Sequence, residues 1–167
     1  MPEVAVGVVS LANGLTVRID ESDTADAAAI LDLQRRCFRD EAARYDDWSS
    51  PPLTQTLPEL IADFATHCIL AARAGDRLVA SVRARDEAGI VAIGRLVVAP
   101  EFRRHGLGSA LMAAIEDRFP PPVCFELFTG HRSDGNLRLY RQLGYVEHGR
   151  KAVSERLQLV YLRKHVD

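Results

Sequence analysis

The sequence predicts an α/β protein built on a mixed sheet, and three observations carry that prediction. Apolar runs that alternate or are rich in β-branched residues recur at 68–74, 78–85, 90–99, 123–128, 145–150 and 157–162. Helical spacing falls between them, most clearly in Leu107, Leu111, Ile115 and Phe119, each four apart. Asn13-Gly14, Gly75-Asp76, Pro120-Pro121-Pro122 and Gly144 punctuate the boundaries. The resulting order is strand, two helices, three strands, helix, strand, helix, two strands, with no internal repeat and no linker.

Taken from the start, Val4 to Leu11 and Leu15 to Ile19 form a strand pair around Asn13-Gly14, a dipeptide suited to a tight turn. The alternative is a mobile segment over residues 1–14 ahead of a first strand at 15–20. Asp23 caps a helix running to about Arg39, with Ile30, Leu33, Cys37 and Phe38 on its inner face and Asp26 near the positive end of its dipole. Residues 40–55, which hold Asp46-Asp47-Trp48-Ser49-Ser50-Pro51-Pro52, read as a loop. Thr56-Leu57-Pro58-Glu59 is a capping box with proline in the first turn, where its missing N–H costs nothing. The helix it opens runs to about His67 and buries Leu60, Ile61 and Phe64. Cys68 to Ala74 and Leu78 to Arg85 make a hairpin through Gly75-Asp76. Asp86 to Gly89 turns into the strand at 90–99, followed by a helix over about 106–118. The prolines stop that helix, and Val123 to Phe128 is the next strand. Ser133 or Asp134 caps a short helix that Gly144 ends. Tyr145 to Arg150 and Leu157 to Leu162 are the last two strands.

Length and composition bound the function. The 167 residues make one domain, 47% apolar and 26% charged, an ordinary globular balance. The 21 basic and 23 acidic side chains leave a formal charge of −2, which argues against a nucleic-acid module. No apolar run is long enough for a membrane span, and the start lacks a charged signal-peptide region. Cys37, Cys68 and Cys124 are odd in number and far apart, so neither a disulfide framework nor a zinc site is indicated. The five histidines show no ligand spacing. A soluble cytoplasmic protein without metal is the expectation.

The stretch from Ile93 to Ile115 carries the chemistry. Arg95 to Ala99 reads as a buried strand, which Pro100 stops because it has no N–H for a ladder. Arg103, Arg104, His105 and Gly106-Leu107-Gly108 then lead straight into a helix. Its first-turn N–H groups have no intrahelical partner and its dipole adds positive potential, so the turn is an anion site. Gly106 and Gly108 lack Cβ atoms that would hold a pyrophosphate off the backbone, and the arginines and histidine add donors at the rim. No Gly-Lys-Ser/Thr follows, which excludes a Walker loop, and Leu111 stands where a dinucleotide fingerprint needs its third glycine. Taken alone, the turn has a second, weaker reading as a strand-to-helix connection that binds nothing.

Arg103-Arg104-His105-Gly106-Leu107-Gly108, coming after Val98-Ala99-Pro100, does match the pattern Arg/Gln-x-x-Gly-x-Gly/Ala after a strand ending in Val-x-Pro. It resembles the acyl-CoA loop of the GNAT superfamily of N-acetyltransferases, whose backbone holds the coenzyme A pyrophosphate. A second segment, Asn136 to Tyr145, resembles the Asn-x-x-x-Tyr-x-x-x-Gly-Phe/Tyr stretch after the fifth strand of those enzymes. Leu139 and Leu143 are expected to face the core, with Asn136 and Tyr140 sharing another face. By itself Tyr140 also reads as a buried tyrosine. The motifs cover positions 95–145, and the first 90 residues share only the element order.

The resemblance implies a single GNAT domain over 1–167, with a mixed, mostly antiparallel central sheet flanked by about four helices. It implies transfer of an acetyl group from the co-substrate acetyl-CoA to a primary amine of a small molecule or peptide, by direct attack on the thioester. Coenzyme contacts would come from Leu96, Val97 and Val98, from Arg103, Arg104, His105, Gly106, Leu107, Gly108 and Ser109, and from Asn136 and Tyr140. A backbone N–H near Val98, where the strand bulges, would polarise the thioester carbonyl as an oxyanion hole does. Val97 to Ala99 would pair with the pantetheine arm like an added strand. Tyr140, protonated at neutral pH with a reference pKa of about 10, would be the general acid for the departing thiolate.

The base is less defined. Val91 to Ala99 contains no carboxylate, where many members carry a glutamate. Glu126 is a catalytic candidate if its side of the strand, opposite Phe125 and Leu127, faces the cleft. His131 in the following loop suits the role, and a water chain would need no side-chain base. Asp40, Glu41, Asp46 and Asp47 around Tyr45 and Trp48 offer a cationic amine an acidic, aromatic wall, or are a solvated helix end. A non-catalytic acyl-CoA-binding module or sensor of the same fold is the alternative function, and a different acyl chain or an oxygen acceptor is a third. The expected partner is the amine substrate, with neither nucleic acid nor membrane, and the resemblance is compatible with a homodimer.

Overall fold

Two antiparallel strands, β1 (Ala5–Ser10) and β2 (Thr16–Glu21), open the chain, joined by a turn in which the Leu15 N–H donates to Asn13 Oδ1 at 3.1 Å and Gly14 takes φ 86°. The structure, a computed structural model, describes residues 5–121 and 123–167. Val4, where the sequence starts its first strand, and Pro122, third of the helix-breaking prolines, lie outside the described residues.

Helix α1 (Ala27–Tyr45) follows a single 3-10 turn whose Asp23 carboxylate accepts the Ala25 N–H at 2.9 Å. It runs well past the expected end at Arg39. The apolar stripe ends at Phe38, but Arg39 to Arg44 are mostly good helix formers and Glu41 pairs with Arg44 at 2.7 Å. The helix stops where Asp46 turns left-handed at φ 50°. The expected loop then contains a single helical turn, α2 (Pro51–Thr54). Helix α3 (Leu57–Asp63) has the expected capping box between Thr56 and Glu59 and ends a turn before His67. It buries Leu60 against Ala27, Ile30, Leu31 and Ile69, and Phe64 packs beside that cluster, while Ile61 stays 42% exposed.

The remaining elements are β3 (Cys68–Ala74), β4 (Arg77–Glu87), β5 (Ile90–Val98), α4 (Leu107–Glu116), β6 (Val123–Gly130), α5 (Asp134–Gln142), β7 (Val146–Ala152) and β8 (Gln158–Val166). They complete one eight-stranded sheet in the order β1-β2-β3-β4-β5-β6-β8-β7. Every pairing is antiparallel except β5 with β6. The main core lies where Leu107, Leu111, Met112 and Ile115 of α4 meet Ala80, Val82 and Ala84 of β4 and Val91 and Ile93 of β5.

Two irregularities at the middle of the sheet position the site. Strands β5 and β6 pair only over Ile90–Ala92 and Cys124–Glu126, then part into a wedge, while β6 stays paired with β8 along its whole length. At the same level β5 bulges. Arg83 faces Gly94 and Ser81 faces Val97, so Val82 is opposed by both Arg95 and Leu96, and Arg95 takes φ 54°.

Candidate active site

The wedge opens into a cavity of about 610 Å³. Its walls are Leu96, Val97 and Val98 of β5; Arg103, Arg104, Gly106, Leu107, Gly108 and Ser109 of the loop and α4; and Asn136, Arg138 and Leu139 of α5. Phe102, Gly135 and five residues of α1 complete it, the last being Cys37, Phe38, Asp40, Glu41 and Arg44.

The backbone of β5 presents a donor to this space. The Ala99 N–H donates to the Val79 carbonyl at 2.8 Å, so the peptide groups of the preceding residue turn the other way, toward the wedge. There the Val98 carbonyl accepts from Arg103 Nε at 2.9 Å and from Cys37 Sγ at 3.5 Å. No strand pairs with Val98 on that side among the described residues, since the β6 pairing has ended at Ala92. The Val98 N–H is therefore held by the β4 ladder in a fixed direction, facing the cavity.

The loop reaches the helix through two left-handed residues, Arg104 at φ 67° and Gly106 at φ 89°. The first intrahelical bond runs from the Ala110 N–H to the Gly106 carbonyl at 3.1 Å, which leaves the N–H groups of Leu107, Gly108 and Ser109 without helical acceptors at the cavity wall. Packing does not require glycine at 108, since a Cβ there would meet only Leu139 Cδ2 at 3.4 Å, an ordinary contact. His105 is half-buried and off the wall; its carbonyl accepts the Ala12 N–H at 3.2 Å and ties the loop to the β1–β2 turn.

On α5 the face assignment differs from the expected one. Leu137 and Tyr140 are the buried residues, whereas Leu139 and Leu143 are half-buried and Leu139 lines the cavity. Asn136 is anchored to β6, donating from Nδ2 to Thr129 Oγ1 at 3.2 Å, which leaves its amide oxygen for a ligand. Tyr140, next to the wall residue Leu139, is itself not on the cavity wall; it is 7% exposed and sits edge-on to Tyr145 with ring centroids 6.1 Å apart. Burial pushes its phenol pKa well above the ordinary tyrosine value, and the nearby Glu41 carboxylate adds to the shift.

Glu126 does not reach the cavity. It pairs across the strands with Arg163, whose Nε donates to it at 2.6 Å, and Phe125 and Leu127 on the opposite face fill the core. His131 lines a separate polar recess with Arg44, Arg132 and Asp134, its Nδ1 accepting the Gln158 N–H at 2.9 Å. The acidic, aromatic wall is only partly assembled. Asp40 and Glu41 face the cavity, but Asp46 pairs with Arg156 at 2.8 Å, Asp47 accepts from Ser49, and Trp48 is 56% exposed outside it. Arg44 and Arg138 are wall residues that the sequence did not single out; Glu41, expected only as one member of the acidic wall, is marked further by its spacing, four residues from both Cys37 and Tyr45.

The sequence over residues 27–145 matches the acetyltransferase (GNAT) family. The chain belongs to this family. Among curated proteins no sequence matches significantly. Solved structures share the GNAT fold at low identity. PaiA N-acetyltransferase of Thermoplasma acidophilum, in complex with coenzyme A, is 12% identical with a TM-score of 0.71, over 90% of this chain and 99% of that one. YncA of Salmonella typhimurium, with its cofactor acetyl-CoA, is 18% identical with a TM-score of 0.70, over 90% and 94%. The GNAT domain of PAT from S. lividans is 19% identical with a TM-score of 0.72, over 96% of both chains. Membership of the GNAT family indicates an acyltransferase. No helix among the described residues is long and apolar enough to cross a membrane.

Proposed function

We propose that this GNAT protein, as one domain over residues 1–167, transfers the acetyl group of acetyl-CoA to a primary amine of a small molecule or peptide. The observation that carries the reading is one continuous cavity, with the free N–H groups of Leu107, Gly108 and Ser109 on its wall and the Val98 N–H facing it. A pyrophosphate suits the first group and a thioester carbonyl the second. The coenzyme A and acetyl-CoA bound in PaiA and YncA, which share the fold, support the same choice of co-substrate.

In this reading the helix start and Arg104 hold the pyrophosphate, with Arg103 close by. Leu96 to Val98 run beside the pantetheine arm, and the Asn136 amide oxygen accepts from one of its amides. The thioester carbonyl points at the Val98 N–H, a donor already oriented before charge develops on the oxygen. The neutral amine nitrogen attacks the carbonyl carbon and sheds one proton to a base or water in the cavity, the carbon–sulfur bond breaks with its electron pair going to sulfur, and Tyr140 supplies the proton that sulfur takes. A phenol with a raised pKa is fully protonated at neutral pH, as that role requires. Glu126 has no part in this scheme, being held by Arg163 away from the cavity. Three unpaired cysteines accord with a cytoplasmic setting.

The test is release of coenzyme A thiol when the protein and acetyl-CoA meet a panel of primary amines, with the acetylated amine identified by mass. Stoichiometric acetylamine and thiol establish the activity. Tight acetyl-CoA binding with no acetylated product across the panel would contradict it and favour the sensor.

A further inference from the structure

Helix α1 crosses the mouth of the wedge from one parted strand to the other. Cys37 touches the Val98 carbonyl on β5, and two turns later Tyr45 packs on Gly130, the last residue of β6. Cys37, Glu41 and Tyr45 are four apart and share one stripe of the helix, so Glu41 is held over the wedge between two anchors.

Its carboxylate is aimed by a chain of hydrogen bonds. Glu41 Oε2 accepts from Ser133 Oγ at 2.6 Å, and Oε1 accepts from Arg44 at 2.7 Å. Ser133 Oγ lies 2.8 Å from the Tyr45 hydroxyl, which accepts the Arg132 backbone N–H at 2.9 Å. A backbone N–H can only donate and a carboxylate can only accept, so the donor direction along the chain is settled: Arg132 to Tyr45 to Ser133 to Glu41. Tyr45 and Ser133 are buried, at 4% and 1% exposure, which fixes the relay, while the Glu41 side chain keeps 28% exposure at the cavity wall.

Among the described residues, Asp40 and Glu41 are the carboxylates on that wall. Asp40 is 65% exposed and lies 3.5 Å from Arg103, beside the anion loop. Glu41 is the one that other side chains orient.

We propose that Glu41 receives the acceptor as an ammonium ion and takes, in turn, the two protons that its nitrogen must lose, with Ser133 and Tyr45 as positioning residues. The inference rests on the acetyl-transfer reading above. In the balanced step the nitrogen–carbon bond forms and the carbon–sulfur bond breaks. The ammonium sheds two protons: the first leaves through Glu41 to solvent before the attack, and the second passes to Glu41 as the bond to carbon forms. One proton reaches sulfur from Tyr140, and exchange with solvent resets both groups. The substrate class that fits is a primary amine that reaches this wall as its ammonium ion.

The test uses the full chain, with benzylamine, spermidine and a hexapeptide with a free N-terminus as acceptors. Glu41→Gln keeps the side chain's length and an oxygen for Ser133 Oγ. It should lower kcat by about 10²–10³-fold for whichever acceptor the wild type uses, with acetyl-CoA affinity unchanged within about twofold. Glu41→Ala should lose as much and regain part of the rate when formate is added, a recovery that a packing role would not produce. Ser133→Ala should fall in between, by about 10-fold. Wild-type kcat in Glu41→Gln, or a loss that formate does not restore in Glu41→Ala, would overturn the assignment while leaving acetyl transfer standing. A wild type that binds no acetyl-CoA, or that binds it and acetylates none of the three amines, would overturn both.

Discussion

A Cβ at Gly130 would fall inside the phenol of Tyr45, meeting its hydroxyl oxygen, Cζ and Cε2. This close approach is what lets the end of α1 lie against the end of β6 and carry Glu41 over the wedge. Gly130→Ala should therefore push α1 away at a cost of about 1–3 kcal/mol, a fall of several degrees in Tm. The loss should shrink when Tyr45→Ala is added, because the colliding ring is gone. Additive effects in the double variant would mean that the two sites do not touch in solution.

Gly108 separates packing from binding. The nearest atom to a new Cβ is the tip of the Leu139 side chain at 3.4 Å, which can give way, and alanine is the better helix former. Gly108→Ala should leave Tm unchanged or slightly raised and weaken acetyl-CoA binding, as read by thermal melts and calorimetry on the same preparation.

Tyr140→Phe keeps the edge-on contact with Tyr145 and removes only the hydroxyl. The expected result is a Tm within a few degrees of wild type, unchanged acetyl-CoA affinity and a kcat lower by at least about 10-fold. An unchanged kcat would assign sulfur's proton to water.

The buried tyrosines set an alkaline limit on stability. Burial, first of all, raises the pKa of both Tyr140 and Tyr145, with Glu41 adding to the first and Glu116 to the second. Below about pH 10 these groups are neutral in the folded and unfolded chain alike, so their contribution is fully present. Above it the unfolded chain loses protons that the folded one keeps, and stability falls by up to about 1.4 kcal/mol per pH unit for each tyrosine. Urea midpoints at pH 8 and pH 10.5 should show this fall, and Tyr145→Phe should flatten it.

The cofactor half of the molecule was legible in the sequence because its determinants are local. Gly106 needs a left-handed backbone, Pro100 ends a strand, and Leu107 to Ile115 repeat at helical spacing, so strand, loop and helix follow from neighbouring residues. The wedge was not legible in the same way. Its bulge depends on how Ser81 and Arg83 of one strand register against Val97 and Gly94 of another, and no local pattern records a cross-strand register. The face of Glu126 stayed open for a related reason: alternation sets it opposite Phe125, but only the assembled sheet says which side meets the cleft. The end of α1 differs from the expected one because Arg39 to Arg44 carry no long apolar side chain, and the helix continues there on propensity and on the anchor that Tyr45 makes with Gly130 and Ser133.

The central claim is that the wedge holds acetyl-CoA with its pyrophosphate on the α4 N-terminus. Calorimetric titration of acetyl-CoA into the wild type and into Gly108→Glu tests it most directly. The account predicts one site per chain in the wild type and no measurable binding in a Gly108→Glu protein that keeps its wild-type circular dichroism and cooperative melt, because a carboxylate then stands where the pyrophosphate belongs. Absent binding in the wild type, or equal affinity in the folded variant, would contradict it.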